Sequence, residues 1–366
     1  MKIFFFLLIL FHALIHLLGF LKGFQILELK EFTLSISKSM GLIWLGATLI
    51  LISAAILFVI DHPLWWLFAF SGIVFSQILI VVFWTDAKFG SIPNALILMV
   101  AIVAFAQFIF QNKVNEEVDS ILSDSIEKTL SPINEKSIQS LPIAVQRWLK
   151  QSGIMEKPPI HSMKMVQNYH IKLDPSQKKW YPAQAEQFST TFPPAFVWTA
   201  DMKMMPLLYA FGRDKFIDGE GEMLFKLLSL FPVAKDGFNP QINESALQRY
   251  LGEIVWNPTA ALMAYITWEE IDQNTAKATL RYKNTTGSGI FYFDENGRFT
   301  QFVAERYMGS GKDAKKHLWT AKALEHQEFN GITLPSKCNA NWKLENEDWT
   351  WAEFEVTQVE FNLDIK

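Results

Sequence analysis

The chain has 366 residues, of which 50% are hydrophobic and 19% charged, and its mean hydropathy is +0.13. That is too apolar for one ordinary soluble domain and too charged for a chain wholly embedded in membrane. A net charge of −4 supplies no cationic surplus to neutralise phosphates, so nucleic acid is not an expected partner.

The apolarity is concentrated at the start. Only five of the 33 lysines and arginines (Lys2, Lys22, Lys30, Lys38, Lys88) and four of the 37 acidic residues (Glu28, Glu31, Asp61, Asp86) precede residue 111. This predicts a membrane part over 1–110, a polar connector over 111–140 and a soluble domain over 141–366. Four apolar runs, 3–20, 42–60, 64–84 and 92–110, each approach the ~20 residues needed to cross a ~30 Å hydrocarbon core. The first run lacks a small-x-small cleavage site and is flanked by Lys22 and Lys30, so it is expected to stay as a span rather than leave as a signal peptide. Trp44, Trp65, Trp66 and Trp84 sit near run ends, where indoles favour the headgroup layer. Lys22, Lys30, Lys38 and Lys88 fall in the two loops on one side. By the positive-inside rule those loops are cytoplasmic, which places both termini and the soluble domain outside, with the spans in the inner membrane.

Polar groups within the spans need partners, because an unsatisfied one in hydrocarbon costs several kcal/mol. His12 and His16 lie one helical turn apart, with Gly19 and Gly23 on the same face. Asp86 falls towards the same end, so the three polar residues have the chemistry of a metal or proton site. The alternative is interhelical hydrogen bonding by the histidines and close helix packing at the glycines.

The connector carries Val114, Val118, Ile121, Leu122 and Ile126 at helical spacing, and Pro132 ends that pattern. Three helices are expected beyond it: one from Ser140 and Pro142 to a stop at Gly153, one over 222–231, and one over 244–256. Asn257–Pro258 ends the last and starts a short fourth. The rest reads as strands: 161–173, 179–190, 195–205, 208–217, 263–270, 275–283, 288–294, 298–308, 318–329, 332–344 and 349–361. Asn296–Gly297 and Asn330–Gly331 mark tight hairpins between them. The fold class is therefore α+β: four membrane helices, then a large antiparallel half-open β-barrel with a few short helices on its concave side.

Nine of the thirteen tryptophans and all eight tyrosines lie in the soluble part, which fits either a solid core or an aromatic-lined ligand cavity. No zinc-protease, nucleophile-elbow, phosphate-loop or dithiol spacing occurs, and the single cysteine, Cys338, excludes an intramolecular disulfide. Neither a cofactor nor a metal is expected. Glu186, Glu220, Glu222 and Glu253 offer carboxylates without a partner at known distance, the weak basis of a hydrolase or transferase reading. Arg249 and Glu253 are spaced to pair on one helix, with Trp256 on a neighbouring face. Glu186, Arg213 and Arg306 fall on strands, and an internal Glu186–Arg ion pair is expected, since a charge inside a barrel requires a partner.

Ala185–Glu186–Gln187, the segment from Pro193 to Trp198, Arg213–Asp214 with Gly219–Glu220–Gly221, and the Arg-Tyr-Leu-x-Glu-x-x-Trp-x-Pro-Thr-Ala stretch from Arg249 to Ala260 resemble an uncharacterised bacterial domain-of-unknown-function family. Leu141–Pro142, Val145–Gln146–Arg147 and Arg306 match its pattern too. The resemblance implies a fold similar to the LolA/LolB lipoprotein carriers and supplies no established activity. The leading expectation is a non-enzymatic, membrane-anchored protein that binds a membrane lipid or lipidated protein in an aromatic β cavity. Its ligand-contacting residues would be Glu186, Trp198, Arg213, Arg249, Tyr250, Glu253, Trp256, Trp268 and Arg306. A membrane-bound hydrolase or transferase, and a structural or sensing domain controlling the four helices, are the alternatives.

Overall fold

The computed structural model describes residues 2–28, 33–125, 131–206, 208–309, 311, 314–345 and 347–363. They form two compact units, Met1–Asn112 and Lys113–Lys366. Four helical segments are long and apolar enough to cross a membrane: Lys2–Gly23, Lys38–Val59, Trp65–Val82 and Trp84–Asp124. They comprise α1 (Lys2–Gly23), α2 (Lys38–Val59), α3 (Trp65–Val82), the short α4 (Trp84–Ala87) with a 3-10 turn at Lys88–Gly90, and α5 (Ser91–Asp124). Ser37 caps α2 by accepting a hydrogen bond from the Met40 amide. The glycines of α1 let α2 approach. A Cβ on Gly19 would lie 2.3 Å from the Trp44 ring, and one on Gly23 would lie 3.1 Å from the Gly41 Cα.

Helix α5 does not stop at the predicted end of the fourth run but continues through the start of the connector to Asp124. Val114, Val118, Ile121 and Leu122, the spaced apolar residues, are buried; Ile126 lies outside the described residues. Two short helices follow, α6 (Glu135–Ile138), closed by a capping box between Asn134 and Ser137, and α7 (Ile143–Ser152). Pro142, rather than Ser140, is the N-cap of α7, and Gly153 ends it with φ of 78°, as a left-handed C-cap.

The second unit is built on one antiparallel sheet. Its strands are β1 (Ser162–Ile171), β2 (Tyr181–Thr190), β3 (Ala195–Met205), β4 (Leu208–Ile217), β5 (Glu220–Leu227), β6 (Phe231–Gly237), β7 (Ile266–Asp272), β8 (Thr275–Tyr282), β9 (Thr285–Phe293), β10 (Phe299–Met308), β11 (Lys315–Phe329), β12 (Ile332–Lys343) and β13 (Asp348–Phe361). Two meanders are joined where the first strand pairs with the last, giving the order β6-β5-β4-β3-β2-β1-β13-β12-β11-β10-β9-β8-β7. The edges β6 and β7 do not pair with each other, so the half-barrel stays open along one seam.

All eleven expected strands are present, and β5 and β6 are additional. They replace the helix expected over 222–231, whose apolar residues Met223, Leu224, Leu227 and Leu228 mimic a helical stripe. The turn between β5 and β6 is made by Leu228 and Ser229 at φ of 53° and 59°, a conformation that normally announces itself as glycine or asparagine.

The helix expected over 244–256 is α8 (Pro240–Glu253), extended by a 3-10 turn, Ile254–Trp256. Asn239 caps it by accepting from the Ile242 amide, with Pro240 in the first turn. A further 3-10 turn spans Pro258–Leu262. Asn257 holds the N-cap position of that turn, but its side chain makes no capping bond; its amide donates to the Thr191 hydroxyl at 2.7 Å. Helix α8 packs against β4 and β5 in one limb of the sheet and against β8, β9 and β10 in the other. Contacts to strands so far apart in the sheet order require the sheet to curl round the helix. The core beneath is continuous, with Phe196, Phe216, Leu247, Leu251, Phe291 and Phe302 fully buried.

Candidate functional site

Strand register decides which side chains meet α8. Gln187, Trp198 and Asp214 are direct neighbours across β2, β3 and β4, whereas Glu186, Thr199 and Arg213 form the adjacent row on the opposite face. Arg249 reaches from α8 into the inner row. Its Nε donates to Glu253 Oε1 at 2.8 Å, one terminal nitrogen to Asp214 Oδ2 at 2.6 Å and the other to Gln187 Oε1 at 3.0 Å. Gln187 closes the ring by donating to Glu253 Oε2 at 2.6 Å. The guanidinium lies over the rings of Phe196 and Trp198, 4.8 and 5.0 Å from their centroids. Burial disfavours the Arg249 charge, but Glu253 and Asp214 more than compensate and hold it protonated above its usual range.

The outer row forms a second cluster. Arg213, only 1% exposed in its side chain, pairs with Glu117 of α5 and with Glu222 at 2.7 Å; Lys215 reaches the same two carboxylates at 2.9 and 3.4 Å. The expected internal Glu186–Arg pair does not form. Strand alternation turns Glu186 outward, where it meets Lys164 at 3.1 Å with about half its side chain exposed, and Gln187 takes the inner position.

The remaining expected residues are dispersed around α8. The Tyr250 hydroxyl donates to the Thr190 carbonyl at 2.8 Å and lies 3.0 Å from that of Tyr265. The indole nitrogens of Trp256 and Trp268 donate to Pro335 and Ala261 carbonyls at 2.8 and 2.9 Å. Arg306, half-buried on β10, donates to the Ser245 carbonyl at 2.9 Å and stacks on Trp319 at 4.4 Å. Burial and then the Arg249 charge push its guanidinium down to about 10, so it remains a cation at neutral pH. Thus Trp198, Arg249 and Glu253 share one cluster, Tyr250 and Trp256 anchor the same helix, Arg306 flanks it, and Glu186, Arg213 and Trp268 stand apart.

Gln187 and Asp214 complete the Arg249 ring; both lie in the motif stretches Ala185–Gln187 and Arg213–Asp214 but outside the expected ligand-contacting set. Each adjoins a residue of that set, so a one-residue register error separated them from the site. A cavity of about 10 Å³ lies beside Glu253, Tyr250, Ser189 and Asn257, smaller than a drug-sized ligand requires. Each oxygen of Glu253 accepts one hydrogen bond, from Gln187 and from Arg249, so the carboxylate is held in place as a partner of the ring.

In the first unit His12, His16 and Asp86 line one recess, yet Asp86 accepts from the Thr33 hydroxyl and Leu34 amide at 2.7 and 3.0 Å. Among the described residues no three His, Cys, Asp or Glu side chains converge as a metal site would require. The histidines instead bond to Ser76 and Asn94, as interhelical partners.

No curated protein matches the sequence. Residues 131–354 match a family of unknown function (DUF6544), and the chain belongs to that family.

Proposed function

We propose that this DUF6544 member is a membrane-anchored, non-enzymatic protein that binds an acyl chain, carried by a membrane lipid or a lipidated protein, on the concave face of its half-barrel. The likeness to LolA/LolB carriers belongs to this reading, as do an inner-membrane anchor, a bacterial setting and an extracytoplasmic soluble unit. The observation that carries it is the cover. One 14-residue helix lies across an aromatic trough that is open along a seam, and charged side chains tie that helix to the sheet.

Lifting α8 exposes Leu247, Tyr250 and Leu251, at about 1.5–3 kcal/mol each, or roughly 5–9 kcal/mol together. About ten buried methylenes at ~0.8 kcal/mol each supply a comparable amount, so an acyl chain is the smallest common ligand able to replace the helix. Full-length protein purified from membranes is extracted with solvent, and the extract and any bound polypeptide are weighed by mass spectrometry. Stoichiometric lipid in the extract, or a covalently acylated polypeptide, is the expected result. Protein that stays free of both after incubation with its own membranes refutes the proposal.

A second reading is favoured by the solid packing beneath α8, where the recess measures about 10 Å³. There the soluble unit is a structural or sensing module acting on the four helices, and acyl ligands leave it unchanged.

A further inference from the structure

The first unit has the larger opening, a recess of about 440 Å³ whose walls include Phe11, Trp44, Ile80, Phe89 and Leu96. Its size falls in the range of small-molecule sites. Its wall is apolar except where His12, His16 and Asp86 reach it, and the histidines belong to a network whose proton positions can be worked out link by link.

His16 Nδ1 lies 2.9 Å from the His12 carbonyl, so Nδ1 carries the proton and Nε2 accepts from the Ser76 hydroxyl at 2.8 Å. Asn94 donates from Nδ2 to Ser76 Oγ at 2.9 Å and to Gln77 Oε1 at 3.0 Å, and Gln77 donates in turn to Ser91 at 3.1 Å. This orientation presents Asn94 Oδ1 to His12 Nε2 at 2.8 Å, so His12 is protonated at Nε2. Its Nδ1 is then a bare acceptor. His12 is 2% exposed, and Nδ1 has no hydrogen-bond partner among the described residues. Cε1, the carbon between the two ring nitrogens, lies 3.7 Å from where a Cβ on Gly90 would stand, and His12 and Gly90 both line the recess.

We propose that the recess binds a lipid-soluble hydroxyaromatic molecule, its hydroxyl donating to His12 Nδ1 and its ring lying among Phe11, Trp44 and Phe89. A carbonyl head would set acceptor against acceptor, and a plain acyl chain would leave Nδ1 unsatisfied in an apolar setting. Among the described residues no three ligand side chains converge here as a metal would require. Asp86, at the same recess, is a second acceptor and matches a ligand that donates rather than accepts.

The test uses full-length protein in phosphatidylcholine nanodiscs with ¹⁵N-labelled histidine, titrated with naphthol and, separately, with its methyl ether. One unprotonated-nitrogen resonance of the seven histidines should move upfield with naphthol, and naphthol should bind about tenfold tighter than the ether, the worth of satisfying one buried acceptor. That resonance should be missing in His12→Phe. In Leu96→Trp, which narrows the recess without touching the network, it should be present and no longer respond. Equal binding of naphthol and ether, absence of any shift, or a shift that survives either substitution overturns the proposal.

Discussion

Arg249 ties α8 to the sheet through a single side chain. It satisfies Glu253, Asp214 and Gln187 at once, so truncating it strands two carboxylates at a nearly dry interface. Arg249→Met should lower the unfolding free energy of the soluble unit by about 3–5 kcal/mol, and adding Asp214→Asn with Glu253→Gln should restore most of it, as read by denaturant titration. A loss below about 1 kcal/mol would mean that the ring carries no energetic weight. The Arg213 cluster makes a pH prediction. Burial raises the Glu222 pKa, but Arg213 first and then Lys215 outweigh it, and the carboxyl ends below its ordinary 4.5. A depressed carboxyl stabilises the fold fully above pH 4.5, and that contribution disappears as pH falls through the lower folded value. Glu222→Gln should therefore flatten the acid limb of stability below pH 4.5 and leave the slope above it unchanged. At this scale the sequence identified Arg249 and Glu253, whose four-residue spacing predicts a pair, but gave Glu186 the place of Gln187. Nothing in a strand's composition states which parity faces inward when polar residues occupy both rows.

Among the elements, α8 and β5 are the ones that must fit closely. Gly221 makes this possible: a Cβ there would lie 2.6 Å from the Ile242 carbonyl oxygen and 2.7 Å from the Ala246 Cβ. Because one of these is backbone, Gly221→Ala has to push the helix off the strand, at a cost of about 1–3 kcal/mol. Amide exchange should quicken across 240–253 in that variant and not across β11 to β13; uniform acceleration or none would contradict the fit. The Leu247 and Leu251 stripe locates the helix, but the expected start at 244 falls short of the Asn239 cap and Pro240, where α8 begins. Sequence pattern misread β5 and β6 because Leu228 and Ser229 adopt positive φ without the residues that signal it, so the apolar run was assigned a helical period. Two other hairpins carry such signals: Asn296–Gly297 and Asn330–Gly331 fall at the turns before β10 and β12, with Gly297, Asn330 and Gly331 at positive φ.

For the whole molecule, the partition into an apolar helical unit and a β-rich unit follows from where the charges fall, whereas the filling of the barrel does not, since an aromatic core and an aromatic cavity share one composition. Cys338 reports on that filling. It is buried on β12 and burial pushes its thiol well above the usual range, so a maleimide should label native protein only as fast as the sheet unfolds. If residues 113–366 lie outside the cytoplasm, as proposed from the lysine bias of the loops, alkaline phosphatase fused after residue 113 should be active and a fusion within 21–41 silent; the reverse pattern contradicts that placement. The account's central claim, that α8 is a movable cover over an acyl-chain site, is tested most directly by hydrogen exchange of full-length protein in nanodiscs with and without a long-chain lysophospholipid. The account predicts that lipid loading deprotects 240–256 while β1, β12 and β13 keep their protection; lipid that binds without exposing this segment, or fails to bind, contradicts it.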